Sequence, residues 1–545
     1  MKNSRILSVF LAAVLLFCAV TPAFAADGYT DVKENRWSRA AVMYVTEKGY
    51  MNGVSDGKFD PAGSMTRAMF VTVLWRREGS PSAEYRPDFS DVKSGKYYSK
   101  AVIWAKDKGI VSGVTETKFD PDGKITREQL ATMLYRYCSV KNLYVDERGD
   151  VSVFSDRGKI HSYAGDALSW AVGVGLIGGV TKDSLDPRGL ATREQVATIL
   201  KRFDEADIIT LADYYRPYVE QMADHAEEML LSDIERISAD PDFNMTDLLT
   251  WGYGLLAMGL NEIGRYDVVE DYLDLWISHP VSDAYLCADA GLVGYCALDM
   301  YERTGEQKYK DLCELCLEGL LARRTDKYGE IKYDSNETET VLVDGTGMVT
   351  PFLARYAHDF GDKEVERIAV LQVTNYLKMG VDPGRHLAYH GYENGIFAGE
   401  IGWGRGTGYL MLAIGSVMRY CHDEKAIADC EKFIQWTFKY LKPEYKFGWT
   451  LSDPDADSDT SATFKIMWGV MKAKEVGLAT SISDDMIKKI AKAGLTDVYD
   501  GVVKGSSGGS GGFGSYSDLH DENTGYGQGA ALAFYVLFLK YLENN

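Results

Sequence analysis

Residues 341–348, Val-Leu-Val-Asp-Gly-Thr-Gly-Met, set a single carboxylate, Asp344, where an apolar stretch gives way to a helical pattern predicted over 345–359. The same helical period, with no sustained alternation of strand type, runs from Leu211 to the end of the sequence. Twelve helices are predicted, over 211–231, 246–263, 266–278, 285–304, 307–322, 345–359, 363–379, 405–421, 424–441, 459–477, 483–494 and 526–542. Several neighbours are joined by turns as short as Arg303-Thr304-Gly305, as in antiparallel helical hairpins. Six such pairs suggest an all-α fold, an (α/α)6 toroid over 211–545 whose inner helices frame a central cleft. The connections 323–344, 380–404, 442–458 and 495–525 are too long for simple turns, so some are expected to build its mouth.

The first third of the chain is organised as an internal repeat. Asp31-Val32, Asp91-Val92 and Asp156 open units that end in Thr66-Arg67, Thr126-Arg127 and Thr192-Arg193, at separations of 35, 35 and 36 residues. Each unit carries an aromatic residue (Trp37, Tyr97, Tyr163), an amphipathic run, a glycine pair (Gly49/Gly53, Gly109/Gly113, Gly175/Gly179) and an Asp-Pro (Asp60-Pro61, Asp120-Pro121, Asp186-Pro187). Over 29–79, 89–138 and 154–203 the pattern reads as a helix, a glycine-punctuated loop and a second helix capped by Thr.

The 545 residues exceed what one hydrophobic core supports, about 250 to 300, so at least two units are expected. With 46% apolar residues the chain is globular; its 59 Lys+Arg against 80 Asp+Glu, a net charge of −21, argues against a nucleic-acid partner. Lys2 and Arg5, the apolar run Ile6–Val20 and Ala23-Phe24-Ala25 form a secretory signal pattern over 1–25, with cleavage after Ala25. That run is shorter than the ~20 residues of a membrane span, so no membrane insertion is expected after its removal. Phe17 before Cys18 speaks against lipidation, which takes a small residue there. Loss of Lys2 and Arg5 moves the charge from −21 to −23. Seven of the eight cysteines then remain, an odd number that cannot pair completely within one chain. The spacing of Cys313 and Cys316 places both thiols on one helix face, as core residues.

No metal cluster stands out and no cofactor is expected. Asp453, Asp455 and Asp457 begin like a calcium loop, but Ser458 and Phe464 stand where the turn glycine and the bidentate Glu belong. The Gly/Ser stretch 505–514 lacks the Lys-Ser/Thr of a phosphate loop and reads as a flexible connection or lid. No Gly-x-Ser-x-Gly elbow is visible. The polar residues left within apolar or aromatic surroundings are Asp289 in Cys287–Leu292, Asp344, His390 before Gly391-Tyr392, and Arg405 in Gly402-Trp403-Gly404-Arg405-Gly406-Thr407-Gly408-Tyr409. Two carboxyls, an imidazole, a guanidinium and flat rings suit a sugar, with glycines that let a ligand approach the backbone. Read singly, Asp344 equally suits a helix cap, and His390 and Arg405 equally suit a network between loops.

The three repeats resemble surface-layer homology repeats, whose signature runs from Phe-x-Asp-Val through Phe-x-Pro to Thr-Arg-Ala-Glu. The resemblance implies a pseudo-threefold helical module that holds secreted proteins on the bacterial cell wall or S-layer by binding secondary cell-wall polymer. The residues it assigns to the polymer are Asp31, Trp37, Arg67, Asp91, Tyr97, Arg127, Asp156, Tyr163 and Arg193. Each Arg would fork onto a ketal carboxylate while the aromatic residue stacks on the sugar, and three sites would add avidity. Met69, Gln129 and Gln195 depart from the signature Glu and Leu185 from the signature Phe, so the third groove is expected to be the silent one.

Residues 211–545 resemble glycoside hydrolase families 105 and 88, the unsaturated rhamnogalacturonyl and unsaturated glucuronyl hydrolases, which are (α/α)6 toroids. The matching segments are the Asp289 helix into Tyr301-Glu302-Arg303-Thr304-Gly305, Leu342–Met348, Tyr389–Tyr392, Trp403–Gly406, Asp459-Thr460-Ser461-Ala462 and Tyr526-Gly527-Gln528-Gly529. By that resemblance Asp344 is the general acid/base and Asp289 a second acid that orients sugar or water. His390 and Arg405 would contact polar groups of the substrate, its carboxylate above all, and Trp251, Met348, Trp403 and Tyr409 would line the ring. Tyr409 stands where Trp is usual, and Trp251 where Tyr is common. The implied activity is exo-acting removal of a terminal 4,5-unsaturated uronic acid from lyase-generated oligosaccharides, of rhamnogalacturonan type, by hydration of the C4=C5 bond. This differs from the usual two-carboxylate displacement at the glycosidic bond. The alternatives are an unsaturated glucuronyl hydrolase acting on glycosaminoglycan-like fragments, another toroidal enzyme, or a non-catalytic surface carbohydrate-binding protein.

Overall fold

The computed structural model describes residues 28–239, 251–279, 287–323, 325–333, 339–507, 519–520 and 524–545. The expected signal segment and the part of the Gly/Ser stretch beyond Ser507 lie outside them. The chain divides into two compact units, Met1–Tyr214 and Tyr215–Asn545.

In the first unit each repeat supplies two α-helices: α1 (Arg39–Glu47) and α2 (Arg67–Arg77), α3 (Ser99–Asp107) and α4 (Arg127–Val140), α5 (Gly165–Gly173) and α6 (Arg193–Glu205). The side chains of Thr66, Thr126 and Thr192 accept the N–H of Met69, Gln129 and Gln195, and the two glutamines reach back to the N-cap N–H to complete capping boxes. Gln therefore does the capping work of the signature Glu. Met69 has no acceptor with which to do so.

The repeats close on one another in a cycle. The Met65 N–H donates to the Ala191 carbonyl, Ala191 to Ile125, and Ile125 back to Met65. The first-turn N–H groups of Arg67, Arg127 and Arg193, which a helix leaves without internal partners, donate to the carbonyls of Gly123, Gly189 and Gly63 in a neighbouring repeat. Those carbonyls belong to the Asp-Pro turns, where Asp60, Asp120 and Asp186 take left-handed φ values of 57°, 59° and 49°.

The second unit contains twelve helices among the described residues: α7 (Leu211–Ser238), α8 (Trp251–Ile263), α9 (Tyr266–Ser278), α10 (Ala290–Thr304), α11 (Gln307–Leu321), α12 (Val343–Phe360), α13 (Lys363–Met379), α14 (Gly404–Tyr420), α15 (Glu424–Thr437), α16 (Thr460–Glu475), α17 (Asp484–Gly494) and α18 (Gly525–Asn544). Number and order agree with the helical period, while several ends move. Asp289 is the N-cap of α10, not an interior residue, and Leu342 caps α12, so Asp344 lies in its first turn. Cys313 and Cys316 are buried free thiols on α11.

Helices α8, α10, α12, α14, α16 and α18 each pack on the next, and α18 returns to α8, which closes an inner ring. Their last turns meet in a polar layer. Asn261 donates to Asp299 at 3.2 Å, Arg355 pairs with Asp299 and Glu302, the Lys472 Nζ reaches the Tyr295 hydroxyl at 2.8 Å, and Arg419 pairs with Glu475 at 2.6 Å. Glycines bring the inner backbones into contact. A Cβ on Gly469 would lie 2.1 Å from the Met411 carbonyl oxygen, and one on Gly415 would lie 2.2 Å from the Gly469 oxygen.

A three-stranded antiparallel sheet in the order β1-β2-β3 is the part of the mouth that the sequence reading of 380–404 did not anticipate: β1 (Thr340–Leu342), β2 (Tyr389–Glu393) and β3 (Ile396–Ile401). The β2–β3 turn is Asn394-Gly395, with φ of 54° and 83°, the two-residue turn whose twist suits a hairpin.

An alanine at an open helical glycine stabilises by about 0.5–1 kcal/mol. At Gly469 the clash reverses the sign: denaturant unfolding of Gly469→Ala should show a loss of about 1–3 kcal/mol.

Candidate functional site

The starts of α12 and α14 meet β2 at His390, and those of α16 and α18 meet at residues 504–507. Strand β1 runs directly into α12 and pairs with β2 in the register Leu342↔Gly391, which sets Asp344 and His390 opposite each other. The His390 Nε2 lies 3.0 Å from the Asp344 Oδ2, and the Trp403 ring packs on the imidazole with centroids 4.5 Å apart. Beneath them Glu330 is fully buried and accepts hydrogen bonds from the hydroxyls of Thr346 on α12 and Tyr392 on β2. Burial pushes its carboxyl up to about 8, so a neutral acid ties the Asp344 helix to the His390 strand.

Asp289 is buried and its Oδ1 has no hydrogen-bond partner. Burial, with the charge of Asp344 adding, pushes its carboxyl up to about 7. Arg405, in the first turn of α14, is also buried. Its Nη1 donates to the Ser507 carbonyl at 2.7 Å, and its Cζ lies 4.9 Å from the Trp403 ring and 4.6 Å from the Tyr526 ring. The Tyr526 hydroxyl donates to the same carbonyl at 2.6 Å, and the Ser507 hydroxyl to the Asp459 Oδ2 at 2.6 Å. Residues 504–507 are thus docked on the start of α16. They are a built part of the site, whereas the sequence suggested only a flexible connection.

Tyr409 is buried with its hydroxyl unpartnered, and its backbone sits against Gly347, where a Cβ would come within 2.5 Å of the Tyr409 carbonyl oxygen. Burial, and then the charge of Asp344, raises the Tyr409 hydroxyl well above its ordinary value. Met348 is buried one turn into α12. Trp251 begins α8, but its side chain lies outside the described residues. Asp289, Asp344, His390, Trp403, Arg405 and Tyr409 therefore form one constellation, to which the structure adds Glu330, Tyr526 and Lys465. The signal for Lys465 was legible as a lone cation within Thr463-Phe464-Lys465-Ile466-Met467-Trp468.

Residues 226–542 match the sequence profile of Glycosyl Hydrolase Family 88. The chain belongs to that family. Ahead of the family 88 domain, residues 28–69, 88–131 and 153–197 match the S-layer homology domain, so the chain carries the module of cell-wall or S-layer attachment. Among curated relatives it is 27% identical over 172 residues to the exoglucanase XynX of Acetivibrio thermocellus, covering 32% of this chain and 16% of that protein. It is 32% identical over 175 residues to an endoglucanase of Bacillus sp. (strain KSM-635), covering 32% and 18%. It is 28% identical over 205 residues to the surface-layer 125 kDa protein of Lysinibacillus sphaericus, covering 37% and 17%. The chain thus spans under a fifth of the length of these relatives. Among solved structures it is similar to a family 105 glycoside hydrolase of C. acetobutylicum ATCC 824, with 17% identity, a TM-score of 0.47 and coverage of 57% of this chain and 98% of that one. An unsaturated glucuronyl hydrolase specific for heparin gives 15%, 0.49, 60% and 98%.

The nine polymer-binding candidates of the first unit divide by environment. Trp37, Tyr97 and Tyr163 present exposed rings, 64%, 57% and 51% accessible. Asp31, Asp91 and Asp156 hold the backbone of their own repeats. They accept the backbone N–H groups of Phe59 and Asp60, Phe119 and Asp120, and Leu185 and Asp186, and such bonds hold the Asp156 carboxyl at about 2. Arg67, Arg127 and Arg193 bond across the repeats. Each is buried, with Nε and Nη2 on two carbonyls of a neighbouring repeat: Phe119 and Ser112, Leu185 and Gly178, and Phe59 and Asn52. The two-donor fork expected to meet a ketal carboxylate is already engaged. One position later the repeats differ, for Glu128 meets His161 at 2.6 Å, Glu194 meets Arg36 at 2.7 Å, and the corresponding residue of the first repeat is Ala68.

A carboxyl raised by burial favours the folded state at low pH, and that advantage is lost as pH climbs from the unfolded value near ~4 through the folded one. For Asp289 the window is from about pH 4 to its folded value of about 7. Denaturant melts should therefore show the stability of Asp289→Asn, relative to the unsubstituted protein, improving by up to about 4 kcal/mol between pH 4 and pH 8.

Proposed function

We propose that the family 88 domain hydrates the C4=C5 double bond of a terminal unsaturated uronic acid on oligosaccharides left by polysaccharide lyases, as a secreted enzyme held on the cell wall by its three S-layer homology repeats. The observation that carries this reading is the Asp344–His390 pair, 3.0 Å apart at the mouth of the inner ring, with the buried acid Asp289 and the buried cation Arg405 beside it. Asp344 delivers a proton to C4 while water adds at C5, and the water's proton returns to the carboxylate. The resulting hemiketal opens and expels the aglycone. His390 fixes one oxygen of Asp344, so the other faces the sugar. Asp289 stays protonated up to about pH 7 and so adds no charge against the anionic substrate, to whose hydroxyls it can donate. Arg405 faces the uronate carboxylate between the rings of Trp403 and Tyr526. We favour exo action, in which the substrate enters by its terminal sugar. We favour a rhamnogalacturonan-type aglycone, with glycosaminoglycan-like fragments as the alternative.

A panel of lyase-generated disaccharides decides the reading. The ultraviolet absorbance of the conjugated double bond should disappear, fastest with rhamnogalacturonan products, and no loss with any member would sink the proposal. Asp344→Asn should cost at least about 10²-fold in kcat.

For the anchor, support comes from the three exposed rings. Ala68 leaves the groove beside Tyr97 without the carboxylate that Glu128 and Glu194 place in the other two, and this suits an anionic polymer. Replacing Trp37, Tyr97 and Tyr163 together by Ala should abolish co-sedimentation with purified cell wall at an unchanged Tm. Retained co-sedimentation would remove the aromatic residues from the polymer site.

A further inference from the structure

Among the described residues, three buried polar atoms around the same site have no hydrogen-bond partner: the Asp289 Oδ1, the Tyr409 hydroxyl and the Lys465 Nζ. A buried polar group left unpaired costs about 1–3 kcal/mol, more when it is ionised, so three in one place call for a reason. Tyr409 and Asp289 belong to the constellation already described. Lys465 joins it with no part in the chemistry proposed above, and its surroundings are specific. It is 0% exposed on α16, one turn in from the Asp459 cap. Its Nζ lies 4.4 Å from the centre of the Tyr409 ring and 4.9 Å from that of Tyr526. Arg405 stacks on the same Tyr526 ring. The helix opposite makes room for the lysine, since a Cβ on Gly408 would fall 2.6 Å from the Lys465 Cβ.

We infer that Lys465 is a positioning and specificity residue of the uronate subsite, a buried counter-charge behind Arg405 and Tyr409 that is satisfied only when the substrate carboxylate occupies the site. This rests on the function proposed above. The groups facing the amine explain the device. Arg405 on α14 opposes its charge, Asp459 on its own helix and Asp344 on α12 favour it, and Tyr409 and Tyr526 offer ring faces. Burial, helped by Arg405, lowers the amine well below its ordinary range. An arriving carboxylate supplies the missing negative charge, the amine takes up a proton, and its cation–π contacts with both rings strengthen. A neutral sugar of the same shape gains nothing from this residue.

The test is Lys465→Met, which keeps the length of the side chain and removes the amine. KM for an unsaturated uronide should rise about tenfold with kcat within about twofold, while KM for the methyl ester of the same sugar stays unchanged. Tm should rise, because an unpaired buried amine has been removed; a structural lysine would give the opposite sign. Equal changes in KM for acid and ester, or no change for either, overturn the inference. Should Lys465→Met fail to fold, calorimetry decides on a protein carrying Asp289→Asn and Asp344→Asn with Lys465 intact. Binding of the uronide at pH 8 in buffers of different ionisation enthalpy must show proton uptake, and its absence overturns the inference. An unsubstituted protein that consumes no unsaturated uronide defeats the functional reading itself; consumption with an unchanged acid-to-ester ratio defeats only the role of Lys465.

Discussion

The common direction of the inner helices is the constraint from which the site follows. Because an outer helix returns the chain between successive inner helices, these begin at the same face. Each start leaves N–H groups without intrahelical partners, together equivalent to about half a positive charge. In a protein whose formal net charge is −21, such helix starts supply partial positive charge from the backbone at this face. Arg405 adds to that charge. Asp289 lies at such a helix start as well, where the dipole would favour its ionised form, yet burial is the larger effect and its carboxyl rises to about 7.

The opposite face obeys the same rule with the sign reversed. Arg419 and Lys472 lie in the last turns of inner helices, where exposed carbonyl ends favour cations, with Arg355 nearby in the C-terminal half of α12, and carboxylates of neighbouring helices pair with the two arginines. Lys472 is as buried as Lys465, but it has the Tyr295 hydroxyl at 2.8 Å. The contrast between two lysines seven residues apart on one helix separates a satisfied structural cation from one held in reserve.

The helices were legible because burial of one face imposes a period that survives without any tertiary information. The twelve segments, the Thr-capped repeat helices and the apolar-set acids all carried such local signals. Less legible was whatever depended on chain segments meeting across long separations. The β1–β2 pairing that sets Asp344 against His390 joins residues about fifty positions apart, and the Asn394-Gly395 turn that announces the hairpin was masked by the helical texture around it. Glu330 and Ser507 entered the site from connections whose length announced a part in the mouth, but not which residues would reach it. In the first unit the aspartates and arginines of the repeats looked like ligand contacts because charged residues recurring at fixed spacing suit either role. Only the fold shows that backbone N–H and carbonyl groups already engage them.

The cyclic hydrogen bonding of the repeats bears on how that unit can fail. In an open stack of repeats each added unit contributes a nearest-neighbour increment, and an end can fray without harm to the rest. Here no repeat is terminal. Removing the third would strip Met65 of its acceptor and Ile125 of the donor it receives from Ala191, and would leave the helix start of the second repeat, at Arg127 and Glu128, without the carbonyls of Gly189 and Pro187. The three repeats therefore melt as one cooperative body, and a proteolytic cut in any of them releases the whole grip at once.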